Sequence, residues 1–221
     1  MLKKPYVIIN CAMTADGKIA FPDGKQLRIS CEEDIKRMYE LRNRCDAVLV
    51  GVNTVLYDDP KLTIKKKYVR NPKQPLRIVL DSKCRTPKNA QVLSKAAKTL
   101  IVTQKGNEKT FAKKHVEVIG CKTDEDGLIN LEAILDILYR KKGIRKLLVE
   151  GGGTVIWNFL KKRMVDEVYT YIGPFIVGGK NTPTMAEGSG INSVDELIHL
   201  RIVDVKPLGP GVLIHYKPIV D

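Results

Sequence analysis

Long apolar runs are missing from this 221-residue chain, and so is any clustering of cysteine or histidine. No stretch reaches the roughly 20 apolar residues that a membrane-spanning helix needs. Met1-Leu2-Lys3-Lys4-Pro5 is followed by a short apolar stretch, Tyr6 to Ala12, with polar Asn10 inside it and a turn at Asp16-Gly17 beyond it. That is too short and too polar to read as a signal peptide. The five cysteines (Cys11, Cys31, Cys45, Cys84 and Cys121) are odd in number, widely spaced and never in a C-x-x-C pair, and the three histidines have no local partners. This pattern argues against a disulfide framework and a zinc site, and it predicts free thiols in a reducing cytoplasm. Aromatic residues are scarce too: four Phe and one Trp offer little for stacking on nucleic-acid bases.

What is abundant is positive charge, a formal +13. Such a surface attracts polyanions or small phosphorylated molecules. The basic residues are scattered, and the densest run, Lys65-Lys66-Lys67, falls in an expected loop. A basic nucleic-acid-binding module therefore stands as the rival from another class. The expected partner is a small phosphorylated molecule, with no nucleic acid and no membrane. Hydrophobic and charged fractions of 43% and 29% are ordinary for a folded protein. The length suits one domain over residues 1–221.

Short β-rich runs alternate with helical stretches. Strands are expected at Tyr6–Ala12, Asp46–Gly51, Arg77–Asp81, Thr99–Thr103, Val116–Ile119, Lys146–Glu150 and Glu167–Ile172. Arg201–Lys206 and Val212–Tyr216, joined through Pro207-Leu208-Gly209-Pro210-Gly211, read as a hairpin. Ser30 and Glu33 form a capping-box pattern for a helix over Cys31–Arg44. Asn130 is placed to cap Leu131–Lys142, with Gly143 at its stop, and a third helix is expected from Gly152-Gly153 through Leu160. The alternation predicts an α/β fold, a mainly parallel central sheet flanked by helices, with a C-terminal antiparallel hairpin at its edge.

Ligands in open α/β sheets gather at the carboxyl ends of strands. That rule selects Asn10, Gly51 with Asn53 and Thr54, Asp81 with Ser82, Thr103, and Glu150 with its glycines. Leu147-Leu148-Val149-Glu150-Gly151-Gly152-Gly153-Thr154 runs from a buried strand into a helix start, where glycines admit a close backbone approach and the helix end attracts phosphate. It is not a G-x-G-x-x-G fingerprint, and a plain tight turn would have the same composition. Gly173–Lys180 fails as a P-loop because Lys180 comes one place late; a mobile glycine loop near a ligand is expected there, or a solvated turn. Asp58-Asp59-Pro60 sets adjacent carboxylates that point apart. They read as a turn before Pro, or as one acid facing a polar substrate.

At these residues the chain resembles the reductase domain of riboflavin biosynthesis, a family built on the dihydrofolate-reductase-like fold. The resemblance rests on Cys11–Ala20, on Gly51-Val52-Asn53-Thr54-Val55-Leu56-Tyr57-Asp58-Asp59-Pro60-Lys61-Leu62-Thr63, on Arg77–Ser82, on Val149–Gly153, and on Val165-Asp166-Glu167 leading to Gly173-Pro174 and Gly178-Gly179. The zinc-deaminase signature of the bifunctional bacterial members is not found. The chain thus looks like the stand-alone form of archaea and fungi, in which reduction precedes deamination.

The resemblance implies NADPH, with NADH as the alternative, as cofactor and 2,5-diamino-6-ribosylamino-4(3H)-pyrimidinone 5′-phosphate as the phosphorylated pyrimidine riboside substrate, with a homodimer as the usual assembly. It implies that Thr54 and Asp58 lie where nicotinamide and substrate meet. Asp81, Ser82, Lys83 and Cys84 match the loop along the adenosine side. Glu150, Gly151, Gly152 and Gly153 match the segment that receives the pyrophosphate. Arg42 and Lys65 match the basic residues that hold the 5′-phosphate, with Asn10, Asp58 and Glu150 also on the substrate side. Lys65 stands where bacterial members carry Arg, which keeps the charge but loses the bidentate fork. Arg28 stands where they carry Trp. In a hydride transfer to C1′, Asp58 or Glu150 is the residue expected to stabilise an iminium or assist ring opening, with water or the substrate as the proton source. A pteridine or dihydrofolate reductase on the same fold is the nearest rival reaction.

Overall fold

The computed structural model describes residues 3–109, 111 and 113–219; Met1 and Leu2 of the amino-terminal stretch and Val220 and Asp221 at the other end lie outside them. The element order is β1 (Tyr6–Thr14), α1 (Glu32–Asn43), β2 (Ala47–Gly51), α2 (Val52–Asp58), β3 (Leu76–Leu80), β4 (Thr99–Gln104), β5 (Val116–Cys121), α3 (Leu131–Arg140), β6 (Lys146–Val149), α4 (Gly153–Lys161), β7 (Glu167–Gly173), β8 (Leu200–Leu208) and β9 (Gly211–Pro218), with short 3-10 turns at Gln91–Leu93 and Val194–Glu196. Every expected strand is present, with ends displaced by a few residues at most. The one helix that the periodicity does not disclose is α2. It is seven residues long and rich in poor helix formers (Val52, Asn53, Thr54, Val55), and its N-cap, Gly51, offers no side chain to the first turn. Burial of Val52 and Val55 holds it in place.

The chain divides into two compact units, Met1–Tyr6 with Tyr39–Leu148, and Val7–Met38 with Val149–Asp221. In the first unit the strands run in the order β5-β4-β3-β2-β6. β2 pairs parallel with β3, β3 with β4, and β4 with β5. Ala47 to Val50, Ile78, Val79 and Leu100 to Val102 are fully buried. Burial of consecutive residues means that both faces are covered, as parallel sheets require. On α3 the buried residues are Leu131, Ile134, Leu135 and Leu138, the helical stripe expected from the sequence. Asn130 caps it through Oδ1, which accepts from Ala133 N at 2.9 Å.

In the second unit the order is β1-β7-β9-β8, with β1 parallel to β7 and the last two pairings antiparallel. The hairpin turns at Gly209-Pro210, where Gly209 takes a left-handed φ of 57°. β8 is exposed along nearly its whole length, including Leu200, Ile202, Val203 and Val205. The capping box expected at Ser30 and Glu33 is replaced by other bonds. The Ser30 hydroxyl donates to Asp34 Oδ2 at 2.5 Å, and the Glu33 carboxylate takes the Cys31 thiol as its partner. The helix opens one residue later than expected, at Glu32.

Candidate active site

Parallel strands deliver their carboxyl ends to one side, and in the first unit two of the predicted clusters follow such ends. α2 follows β2 without a break. Thr54 and Asp58 stand four residues apart on it, and that spacing places them on one helix face. The Asp58 carboxyl is half-buried and has no hydrogen-bonding or ionic partner among the described residues; burial raises its pKa above the ordinary aspartate value. Asp59 behaves oppositely. It caps α2 in a left-handed conformation (φ 40°), its Oδ1 accepts from Gln91 N at 2.7 Å, and its carbonyl accepts from Gln91 Nε2 at 2.8 Å. Of the two neighbouring acids, one is structural and one is available for chemistry.

The loop after β3 carries the second cluster. Asp81 has no solvent exposure. Its Oδ2 accepts from both the backbone N and the hydroxyl of Thr86, each at 2.7 Å, while Oδ1 has no partner. The Ser82 carbonyl accepts from Gln104 N, Thr103 Oγ1 and Asn107 Nδ2, all at 3.0 Å. Cys84 is buried at φ 50°, and its carbonyl accepts from Lys109 Nζ at 3.1 Å. Of the four residues expected here, Asp81 and Cys84 therefore hold the loop from inside, and exposed Lys83 and partly exposed Ser82 are the ones a ligand can touch.

The expected phosphate-holding residues also belong to this unit. Arg42 Nη1 donates to the Thr63 carbonyl at 2.9 Å, and its guanidinium lies 5.4 Å from the centre of the Tyr39 ring. Tyr39 stacks on Tyr68 at 4.8 Å. Gln74 fixes the same segment by bonding Ile64 N and O at 2.8 and 2.9 Å. Lys65 lies between these anchors and is exposed. Arg42 thus shapes the segment, and Lys65 supplies a charge open to solvent.

The second unit holds Asn10 and the glycine run. Asn10 is buried, and its Oδ1 accepts from Arg37 Nη2 at 2.7 Å; Arg37 also pairs with Asp34 at 2.6 Å. After half-buried Glu150, Gly151 takes φ 125°, a region closed to side-chain-bearing residues, and the Gly151–Gly152 peptide is cis. Gly152 caps α4 without a side-chain bond. Gly153 has a packing reason for being glycine, since a Cβ there would stand 2.6 Å from the Thr184 carbonyl oxygen and 2.7 Å from Glu187 Cγ. The loop of Gly173–Lys180, expected as a mobile glycine loop near a ligand or as a solvated turn, is largely exposed and is held at its middle by Asp16. Asp16 accepts from Val177 N at 3.2 Å and Gly178 N at 2.7 Å; the Thr14 hydroxyl above all, and then these two bonds, lower its pKa to about 2.

Sequence reasoning passed over Gln91, Thr86 and Arg77. Thr86 bonds Asp81 five residues before it across an irregular turn, while Gln91 and Arg77 act through hydrogen bonds to segments 14 to 32 residues away, for which local spacing carries no signal. The left-handed Asp59 had one, because Asp is among the few residues that visit that region. Among the described residues no group of three or more His, Cys, Asp or Glu is arranged to hold a metal ion, and no helix is long and apolar enough to cross a membrane.

A protein of Archaeoglobus fulgidus named 2,5-diamino-6-ribosylamino-4(3H)-pyrimidinone 5′-phosphate reductase is 40% identical over 217 residues, covering 94% of this chain and 95% of that protein. The solved RibD of Acinetobacter baumannii (form 2) matches 98% of this chain with a TM-score of 0.83 at 23% identity, and the chain spans 58% of that longer one. Dihydrofolate reductase of Enterococcus faecalis matches 97% of the chain with a TM-score of 0.55 at 15% identity. The dihydrofolate-reductase-like α/β fold expected from the sequence is the fold of these structures. The model of the family described as RibD C-terminal domain matches residues 5–214, and the chain belongs to that family.

Proposed function

We propose that this chain reduces 2,5-diamino-6-ribosylamino-4(3H)-pyrimidinone 5′-phosphate to the ribitylamino 5′-phosphate in riboflavin biosynthesis, with NADPH as reductant. The observation that carries this reading is the nearly end-to-end 40% identity to the Archaeoglobus protein named for that reductase activity. We further propose that residues 1–221 work as one reductase domain, since the family match runs through both units.

The residues present suit a nicotinamide dinucleotide. An anchored loop offers Ser82 and cationic Lys83, and Gly151 and Gly152 precede a helix start that has no side-chain cap. When bound, the nicotinamide supplies a hydride to C1′ of the open-chain imine of the ribosylamine, and one proton reaches the imine nitrogen to give the ribitylamine. Asp58 is the proposed catalytic acid. Without a partner of its own and partly buried, it keeps a proton to higher pH than a free carboxyl, which suits assistance to ring opening. Thr54 flanks it on α2, and Glu150 is the second candidate acid. Lys65 binds the substrate 5′-phosphate on a segment that Arg42 shapes. Asn10 contributes least, because its amide oxygen already serves Arg37. The proposed assembly is a cytoplasmic homodimer, supported by apolar side chains along the exposed strand β8.

The test is an assay of the purified chain with the diaminopyrimidine substrate and with dihydrofolate, each with NADPH and with NADH, following nicotinamide absorbance. Oxidation is expected with the diaminopyrimidine and NADPH, and Asp58→Asn should depress turnover far more than cofactor affinity. Faster turnover of dihydrofolate, or none of the diaminopyrimidine with either cofactor, would refute the reading.

A further inference from the structure

Asp58 is the last residue of a seven-residue helix whose N-cap, Gly51, provides no side-chain bond. So short a helix does not hold its own end. Among the described residues nothing bonds the Asp58 carboxyl to place it, and what anchors the last turn of α2 lies one residue further on. Gln91 grips Asp59 twice, with its backbone N at 2.7 Å from Oδ1 and its Nε2 at 2.8 Å from the carbonyl. The Asp59 N–H meanwhile donates to Val55 O at 3.1 Å, closing the helix.

Behind that grip lies Arg77 of β3, the largest fully buried side chain among the described residues. Its hydrogen bonds all go to neutral oxygens: Lys61 O at 3.3 Å, Gln91 O at 3.5 Å, Ser94 Oγ at 3.2 Å, Ser94 O at 2.6 Å and Ala97 O at 2.5 Å. A buried cation with neutral acceptors alone is a poor device for stability, since taking the charge out of water is costly. It is a good device for fixing geometry. The planar fork holds carbonyls from the segment after α2 and from the turn that carries Gln91, a span that the point charge of Lys cannot reproduce.

We propose that Arg77, Gln91 and Asp59 are positioning residues that set where the Asp58 carboxyl stands toward the substrate. The proposal rests on the assignment of Asp58 as the acid of the reaction. None of the three touches the reacting atoms. Arg77 seats the Gln91 turn, Gln91 clasps Asp59, and Asp59 fixes the end of the helix that carries Asp58. A displacement of about 1 Å at a reacting group lowers rates by up to about a hundredfold while leaving binding of the rest of the substrate intact.

The experiment compares Gln91→Ala, Asp59→Ala, Asp59→Asn, Arg77→Lys and Asp58→Asn by kcat, by KM for both substrates and by thermal midpoint. Gln91 is exposed, so Gln91→Ala keeps the fold even if Arg77→Lys does not. Gln91→Ala and Asp59→Ala should lose about tenfold to a hundredfold in kcat with KM values within about twofold. Asp59→Asn, which keeps the Oδ1 acceptor, should recover most of the loss. If Asp58→Asn is inactive while Gln91→Ala and Asp59→Ala turn over normally, or if Asn at 59 is no better than Ala, the relay is wrong. If Asp58→Asn itself turns over normally, the assignment of Asp58 is what fails.

Discussion

Replacing Thr86 by Val tests whether the loop after β3 is a cofactor loop or merely a well-made turn. Thr86 gives the buried Asp81 carboxylate two hydrogen bonds, from its backbone N and from its hydroxyl, both 2.7 Å long. Valine has nearly the same shape, so the substitution deletes the hydroxyl donor and leaves the backbone one. A hydrogen bond to a charged group contributes about 1.5–3 kcal/mol, more than a neutral one. Asp81 Oδ1 is already without a partner, so nothing else in the pocket makes up the loss. At roughly 2–4 °C per kcal/mol for a chain of this size, the thermal midpoint should fall by about 3–12 °C. The same free energy, if it went wholly into loop order, would weaken cofactor binding by at most about 10- to 150-fold. The Ser82 carbonyl keeps its three donors, so a rise of several-fold in cofactor KM is expected, with kcat nearly unchanged. Scanning calorimetry and initial-rate kinetics on the same preparation measure both. A lower midpoint with an unaltered cofactor KM would remove Ser82 and Lys83 from the cofactor site. An unaltered midpoint would refute the energetic reasoning about Asp81.

Two further outcomes follow from the charges. The pKa of Asp58 is raised by burial, so as pH climbs past the ordinary aspartate range the unfolded chain gives up its proton first. The native state then binds more protons than the unfolded state, and stability falls with rising pH across that window. Asp58→Asn should therefore be more stable than the parent at neutral pH and no more stable below the window; urea titrations at both pH values that find no difference would contradict the assignment. Lys65→Ala should raise KM for the phosphorylated substrate by about 10- to 100-fold, as expected for losing one charged bond to phosphate. KM for a dephosphorylated analogue should be unchanged, and equal effects on both would show that Lys65 does not read the phosphate.

The periodic signals were legible because they are local. Alternation of apolar runs with helical stripes located nine strands and three of the four helices, and Asn130 was readable as a cap because its bond spans three residues. Gly209-Pro210 was readable as a turn for the same reason. The motif blocks singled out Thr54 and Asp58, but that the two share a helix face was not legible, because the periodicity does not disclose α2. The Ser30 and Glu33 pattern misled because the Ser30 hydroxyl donates to the Asp34 carboxylate, a side-chain partner that the capping-box spacing does not take into account.

Sequence by itself determined the order of the strands and of three helices, the excess of positive charge and the polar residues that follow each strand. These depend on neighbours a few residues apart. Tertiary structure alone decided which member of each polar pair is free to act. Asp58 stays open while Asp59 is bound by Gln91, 32 residues away, and Asp81 turns inward while Lys83 faces solvent. It also decided that Gly153 is glycine because Thr184 and Glu187 crowd it, and that Asp16 anchors a loop 161 residues further on. For Asp59 and Asp16 the donors come from distant segments, and no local pattern encodes that distance; for Asp81 they come from Thr86, where the turn's backbone path decides the contact.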